Sequence, residues 1–335
     1  MMKSVVYING DGIGIEVMRA TRALVDTVTK EGIEWIEAKA GENCFLTTGN
    51  PLPPETLELI REHKVAIKGP TTTPSGGGFT SVNVRLRQEL DLYVGLRPSW
   101  SLGLPNTRRN VNLTVFRQNT EGLYACKEEV KGPSGSREVL LTARFSEEAM
   151  YRLALKAFHY ARAQGLTHMT LVNKENIHKV WGRVYHDAFD QVAASFPDIT
   201  ADHMLVDAMG MRLVSQPEKY QVLVIENMFG DILSDVCAGL VGGLGVTPGA
   251  NLGEDIALFE AVHGSAPDIA GRGIANPTAL MLSAAMMLDH MGLVLESKRM
   301  KRAIIHTLKN NKCRTGDLGG KLNTIQFTSA IMENL

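Results

Sequence analysis

Asp231 and Asp235 stand four residues apart, a spacing that sets both carboxylates on one face of any helix that holds them. Like charges so placed repel unless water or a cation comes between them. The pair is therefore either a solvated face or part of a metal site. Oxygen donors of this kind suit Mg²⁺ or Mn²⁺ rather than zinc. Asp207 closes a second apolar run and Lys174 a third. Facing one crevice, these groups would serve a cation-assisted proton transfer. A basic set stands apart: Arg85 and Arg87 in Ser81-Val-Asn-Val-Arg-Leu-Arg87, Arg97 in Gly95-Leu-Arg-Pro98, and Arg117 in Val115-Phe-Arg-Gln118. Guanidinium groups hold carboxylates through paired, charge-assisted bonds, so converging arginines fit a di- or tricarboxylate. Singly, each serves equally well as a surface ion-pair partner. Arg97 and Arg117, however, interrupt apolar strand-like contexts, where an idle charge is expensive. Tyr124, in Asn119-Thr-Glu-Gly-Leu-Tyr124, is by spacing alone a packed ring with one hydrogen bond.

The elements that must position these residues show in the hydrophobic pattern. Strand-like runs rich in Val, Ile and Leu alternate with helix-length amphipathic stretches, the pattern of an α/β protein containing parallel sheet. Residues 4–8 precede a helix expected near 14–29, residues 169–173 one near 179–194, and residues 222–225 one near 230–240, with 226–230 as the link. Asp231 thereby falls near the C-terminal edge of a strand, where open α/β sheets bind ligands. Asp207 follows the strand-like 203–206. Gly and Pro gather at 70–79, 131–136 and 242–253, which predicts loops there. Residues 127–144 read as a charged hairpin around Gly-Pro-Ser-Gly-Ser, either a surface flap or an arm reaching a neighbouring subunit. The turn Gly10-Asp-Gly-Ile-Gly-Ile-Glu16 opens the first helix. Its spacing lacks the last glycine of a dinucleotide fingerprint, which leaves a tight turn and a ligand contact as alternatives.

At 335 residues the chain outgrows a single core, so two domains are expected. A net charge of -1 removes any global attraction to nucleic acid or to an anionic membrane. The longest apolar run, residues 279–288, is too short to span a bilayer and predicts a buried helix. Cys44, Cys126, Cys237 and Cys313 are scattered and are expected as buried, reduced thiols. The opening Met1-Met2-Lys3-Ser4 passes at once into an apolar strand, which leaves no room for a signal peptide. The expected location is the cytoplasm, or the mitochondrial matrix where a transit peptide has been removed.

Together, the Gly10 to Glu16 turn, Lys68-Gly-Pro-Thr-Thr-Thr-Pro74, Leu86-Arg-Gln-Glu-Leu-Asp-Leu-Tyr93, Leu96-Arg-Pro98, Arg117-Gln-Asn-Thr-Glu121, Asn227-Met-Phe-Gly-Asp231, Ser234-Asp235, Glu260-Ala-Val-His-Gly-Ser-Ala-Pro267 and Asn276-Pro277 form an ordered series. The series resembles the isocitrate and isopropylmalate dehydrogenase family over essentially the whole chain. The resemblance implies a two-domain α/β fold that is not a Rossmann fold. Residues 1–93 and 243–335 would form a large discontinuous domain, with the cofactor loop and the N-terminal substrate segment. Residues 94–242 would form a small domain, with an interface arm and the metal and catalytic residues. The implied activity is NAD-dependent and Mg²⁺- or Mn²⁺-dependent β-decarboxylation of a 2-hydroxy polycarboxylate, in a homodimer with shared active sites, alone or within a higher oligomer.

By motif match, the resemblance gives Asp231 and Asp235 to the metal, while Asp207, Lys174 and Asn176 reach a partner's site. Arg87, Arg97 and Arg117 would hold substrate carboxylates, and Ser81 and Asn83 would meet the part of the substrate that differs among family members. Thr72 and Thr73 match positions near the nicotinamide. His263, Gly264, Ser265, Ala266, Pro267, Asp268 and Ile269, with Asn276, match the adenosine loop. Lys174 would take the hydroxyl proton as hydride leaves for NAD⁺, the β-carboxylate would depart as CO₂, and Tyr124 would protonate the carbon left behind.

Ser81 and Asn83 can both donate hydrogen bonds to a terminal carboxylate, whereas the isopropylmalate branch of the family places an apolar residue at the serine position. Isocitrate is therefore the expected substrate, with homoisocitrate the nearest competitor. Asp268 and Ile269 stand where NADP-using relatives carry Lys and Tyr, so NAD is expected. Two departures from the family pattern stand out. Ile15 replaces the usual proline of the first turn, which touches loop rigidity, and Arg85 adds a charge that bears on the fine choice of substrate. A non-catalytic regulatory subunit of a hetero-oligomeric dehydrogenase should have lost metal or base positions. Here Lys174, Tyr124, Asp207, Asp231 and Asp235 are all present.

Overall fold

The computed structural model describes residues 3–74 and 78–335. Met1 and Met2 of the opening tetrapeptide, and Ser75, Gly76 and Gly77 of the run at 70–79, lie outside the described residues. The strands are β1 (Lys3–Ile8), β2 (Ile33–Ala38), β3 (Val65–Lys68), β4 (Val94–Trp100), β5 (Asn112–Gln118), β6 (Lys127–Lys131), β7 (Glu138–Thr142), β8 (His168–Asn173), β9 (Thr200–Leu205), β10 (Val222–Ile225), β11 (Pro248–Leu252) and β12 (Ala257–Ala261). The helices are α1 (Gly14–Thr29), α2 (Glu42–Thr48), α3 (Pro54–His63), α4 (Val82–Glu89), α5 (Glu147–Ala163), α6 (Lys179–Ala193), α7 (Val206–Ser215), α8 (Asn227–Val241), α9 (Thr278–His290), α10 (Val294–Lys309) and α11 (Thr324–Met332).

Packing divides the chain into two units. The first takes Met1–Leu92, Pro98–Val111 and Ala238–Leu335, and the second takes Tyr93–Arg97 and Asn112–Cys237. In the first unit the strand order is β2-β1-β3-β12-β11, parallel except where β11 meets β12. In the second it is β5-β10-β8-β9, parallel throughout. The central position of β1 explains why Val5, Val6 and Ile8 are fully buried, since a strand covered on both faces reads as an unbroken apolar run. Val17, Leu24, Val25 and Val28 form the buried stripe of α1 at the spacing of an amphipathic helix. The core between β1, β3 and the helices gathers Val6, Ile8, Leu57, Ile60, Leu86 and Leu258. Helix α9 is buried along nearly its whole length, as its apolar run predicts. No described helix is long and apolar enough to cross a membrane. The hairpin forms as β6 and β7, paired from Lys127 with Thr142 to Lys131 with Glu138, and both strands are exposed throughout.

Several expectations need correction. The Gly- and Pro-rich run at 242–253 is not all loop, because it contains β11. There the segment pairs antiparallel with β12 from Pro248 to Leu252 and the Gly249 N–H donates to the Ser283 hydroxyl of α9 at 3.2 Å, so tertiary pairing overrides the local turn signal. Helix α8 starts at Asn227 rather than near Gly230. The Glu226 carboxylate accepts from the N–H groups of Met228 at 3.0 Å and Phe229 at 2.5 Å, which turns the supposed link into a capped first turn. Strand β9 ends at Leu205, and Asp207 lies in the first turn of α7. Cys44 and Cys237 are buried as expected, but Cys126 and Cys313 are partly exposed, and all four are free thiols.

The turn from Gly10 to Glu16 ties together loops of the first unit. Asp11, 2% exposed, accepts from the N–H groups of Glu42 at 2.9 Å, Asn43 at 2.9 Å and Thr72 at 2.8 Å. Gly12 has φ 56, and a Cβ there would lie 2.0 Å from the Ser265 carbonyl oxygen. Glu16 accepts from Gly273 N–H at 2.9 Å and Ala275 N–H at 3.0 Å. Ile15 faces solvent. Asp11→Ala would leave three partly buried N–H donors without their shared acceptor, so a loss of ~1–3 kcal/mol is expected. An unchanged midpoint in urea unfolding would contradict this.

Candidate active site

In the second unit, β5 carries Arg117 into the interior, where it is 1% exposed. Its Nε and Nη2 donate to Asn227 Oδ1 at 2.9 and 2.8 Å, and its Nη1 donates to Asp231. Asn227 in turn donates to the Glu121 carbonyl at 2.7 Å. A Cβ on Gly230 would sit 2.9 Å from Arg117 Cγ, so only glycine lets α8 rest against the arginine stem. The Tyr124 hydroxyl donates to the second oxygen of Asp231. The Tyr124 ring centroid lies 4.8 Å from the Arg117 guanidinium carbon, within cation–π range. Asp231 is thus gripped at both oxygens. Asp235 follows one helical turn later on the solvent side. Loss of hydration is the main cause raising its carboxyl above the ordinary range, and Asp231's charge adds to it, while Arg97 and Arg117 oppose. Arg97 itself is buried on β4. Burial likewise pushes the Glu226 carboxyl up, against the pull of its N–H donors.

Lys174 follows β8 and Asp207 follows the adjacent parallel strand β9, which brings Nζ and Oδ1 to 2.6 Å. The hydrogen bond from Lys174 holds the exposed Asp207 carboxyl below the usual carboxylate range. Asn176 is exposed in the turn after β8. Among the described residues, Asp207, Asp231 and Asp235 do not gather as one ligand group within a single chain. Within one chain Asp207 turns to Lys174.

The first unit holds a cavity of about 620 Å³ lined by Ile13, Gly245, His263, Gly264, Ala266, Ile269, Ile274, Ala275, Asn276, Gly316, Asp317, Lys321, Leu322 and Asn323. Five members of the expected adenosine set line it: His263, Gly264, Ala266, Ile269 and Asn276. Three others do not. The Ser265 hydroxyl instead meets Thr72 Oγ1 at 2.7 Å, while Pro267 and Asp268 are exposed, as is Thr73. His263 Nδ1 donates to the Gly264 carbonyl at 2.9 Å, and burial holds the ring below its ordinary range. Its Nε2 is buried without a hydrogen-bond partner among the described residues. A neutral ring donating through Nδ1 leaves Nε2 as an acceptor. Asn276 donates to Asp317 at 2.9 Å and accepts from Thr278 N–H at 3.0 Å. Asp317 and Lys321 were missed in the sequence, although the Gly316-Asp-Leu-Gly-Gly320 run is a turn signal that could have flagged them.

At the start of α4, the Ser81 hydroxyl does not cap the helix, and Asn83 Oδ1 accepts from the Thr71 hydroxyl at 3.1 Å, which leaves its amide N–H groups as donors. Arg85 is half-buried one turn on. Arg87 is buried, with Nη2 3.5 Å from Glu260. Glu260 also takes Lys68 at 3.0 Å and Asn251 at 2.7 Å. Lys68 and Glu260 stand in the quoted motifs, yet nothing local marks them as a buried pair.

The profile of the isocitrate/isopropylmalate dehydrogenase family matches residues 4–335. Over 330 residues the chain is 43% identical to the mitochondrial isocitrate dehydrogenase (NAD) catalytic subunit 5 of Arabidopsis thaliana, covering 97% of this chain and 87% of that one. Over 337 residues it is 41% identical to the 3-isopropylmalate dehydrogenase of Methanothermobacter thermautotrophicus, covering 100% and 99%. The crystal structure of isocitrate dehydrogenase from Methylococcus capsulatus matches with a TM-score of 0.95 at 42% identity over 99% of each chain. The chain belongs to the isocitrate/isopropylmalate dehydrogenase family. It has that family's α/β fold and is a β-decarboxylating dehydrogenase.

Proposed function

We propose that the chain oxidises isocitrate to 2-oxoglutarate and CO₂ while reducing NAD⁺, with Mg²⁺ or Mn²⁺ held by Asp231 and Asp235 and by Asp207 from a second copy. The observation that carries this reading is Asp231, gripped by the Arg117 guanidinium and the Tyr124 hydroxyl, one turn from a carboxyl raised by lost hydration and like charge. An all-carboxylate set of this kind fits a hard divalent ion. Bound there, the ion would supply Lewis acidity toward the substrate's hydroxyl and its neighbouring carboxylate. A substrate carboxylate at Arg117 would exchange the internal Arg117–Asp231 pair for an intermolecular one.

In this reading Arg87, Arg97 and Arg117 hold substrate carboxylates, Asn176 assists from the second copy, and Ser81 and Asn83 donate to the terminal carboxylate. Lys174 Nζ takes the hydroxyl proton as hydride passes to NAD⁺. After the β-carboxylate leaves as CO₂, Tyr124 Oη delivers a proton to the carbon that carried it. The cavity of the first unit suits an adenosine, since the acceptor at His263 Nε2 matches an exocyclic amino group. A homodimer is supported by exposed apolar side chains on the second unit, among them Ile177, Val180, Met211, Val214 and Ile232, and by the exposed arm from β6 to β7.

Two outcomes are expected. Excess chelator abolishes turnover, and Asp231→Asn lowers kcat/KM at fixed Mg²⁺ by at least ~10²-fold without a matching loss of stability. Undiminished turnover in chelator would sink the metal assignment. Asp268, exposed beside the cavity-lining Ile269, can accept from ribose hydroxyls and repel a 2′-phosphate. NAD⁺ should therefore give the higher kcat/KM, and a preference for NADP⁺ would refute this.

A further inference from the structure

On the second unit, His186 and Asp190 lie one turn apart on α6, and His203 lies on β9, the last strand in the order. The two imidazoles stack with centroids 3.7 Å apart and planes at 18°, which presents both to the same carboxylate. His203 Nε2 is 2.8 Å from Asp190 Oδ1, and His186 Nε2 is 3.3 Å from Asp190 Oδ2. The other nitrogen of His186, Nδ1, is 2.7 Å from Glu175 Oε2. A neutral imidazole can donate from only one nitrogen. With carboxylates at both nitrogens, His186 needs either a second proton or a cation on its Asp190 side.

We infer that His186, Asp190 and His203 form a site for a transition-metal ion such as Zn²⁺, which clips α6 to the edge strand β9. The ligand atoms of these three residues all lie within 4.8 Å of one another. A tetrahedral ion with bonds of ~2.0–2.1 Å separates its ligands by roughly 3.3–3.4 Å. Because each imidazole binds in its own ring plane, the two stacked rings must rotate out of their stack to close the set, with water as the fourth ligand. Glu175 has the place of the outer carboxylate that orients a metal-binding histidine through its far nitrogen. Phe189 packs edge-on against His203 at 5.4 Å. The surrounding charges leave the set to itself, since Arg183 pairs with Asp187 at 2.7 Å and Asp202 pairs with His168 at 3.0 Å. On binding, the protons between Asp190 and the imidazoles leave to solvent, His186 keeps its Nδ1 proton on Glu175, and uptake weakens as pH falls. Imidazole donors set this site apart from the all-carboxylate set at Asp231 and Asp235.

The test is equilibrium dialysis of the Asp231→Asn chain against Zn²⁺ in a large excess of Mg²⁺. It should bind one Zn²⁺ per chain. Adding His186→Gln and His203→Gln should remove that equivalent, and Glu175→Gln should weaken binding ~10–100-fold. His203→Gln alone decides the matter should the double variant misfold. Co²⁺ in place of Zn²⁺ should give a tetrahedral visible spectrum without a thiolate charge-transfer band. No bound Zn²⁺, equal binding after the histidine substitutions, or a thiolate band would overturn the site.

Discussion

Lys174→Met should lower the NADH-driven reduction of a β-keto acid substrate about 10²–10⁴-fold, while Tyr124→Phe leaves that half-reaction nearly intact and depresses the overall decarboxylation. Reduction delivers hydride to the ketone carbon and needs a proton only at the new alkoxide, the position assigned to Lys174. Protonation of carbon comes only after CO₂ has left, so a chain without the Tyr124 hydroxyl stalls there alone. The two substitutions are clean for separate reasons. Lys174 meets an exposed Asp207, and an ion pair with one exposed partner contributes little to stability, so Met should not unfold the chain. Tyr124→Phe keeps the ring beside the Arg117 guanidinium and removes the hydroxyl that donates to Asp231. Equal losses for both variants in both assays would contradict the division of roles.

What could be read from the sequence was local. The 3.6-residue stripe of α1 placed that helix at residues 14–29, where it is found. The four-residue spacing of Asp231 and Asp235 put them on one helix, and both lie on α8. Arg97 and Arg117 stood out as charges in apolar runs and are buried on β4 and β5. Features made by distant segments stayed hidden. Nothing near Arg117 announces that Asn227 will take two of its donors, or that Gly230 is needed for the arginine to fit. Lys68 and Glu260 meet only because β3 and β12 are neighbours. The composition around β11 argued for a loop, and only its pairing with β12 and its packing on α9 make it a strand. Glu226 looked like linker because a cap is defined by the N–H groups it reaches, not by its own neighbours in sequence.

Isocitrate should outrun isopropylmalate by about 10⁴-fold, because a site that offers hydrogen-bond donors rejects an analogue that leaves them facing methyl groups. Ser81 leaves its hydroxyl unused by the helix cap, and Asn83 meets Thr71 through its carbonyl oxygen, which reserves its N–H groups. Homoisocitrate is the harder competitor, since one methylene is worth only ~1–3 kcal/mol. Arg85 is half-buried one turn beyond Ser81 and could shorten that gap. The deciding measurement is kcat/KM for isocitrate, homoisocitrate and isopropylmalate at identical Mg²⁺ and NAD⁺ concentrations. The assignment predicts isocitrate first and isopropylmalate last, and either competitor outrunning isocitrate would contradict it.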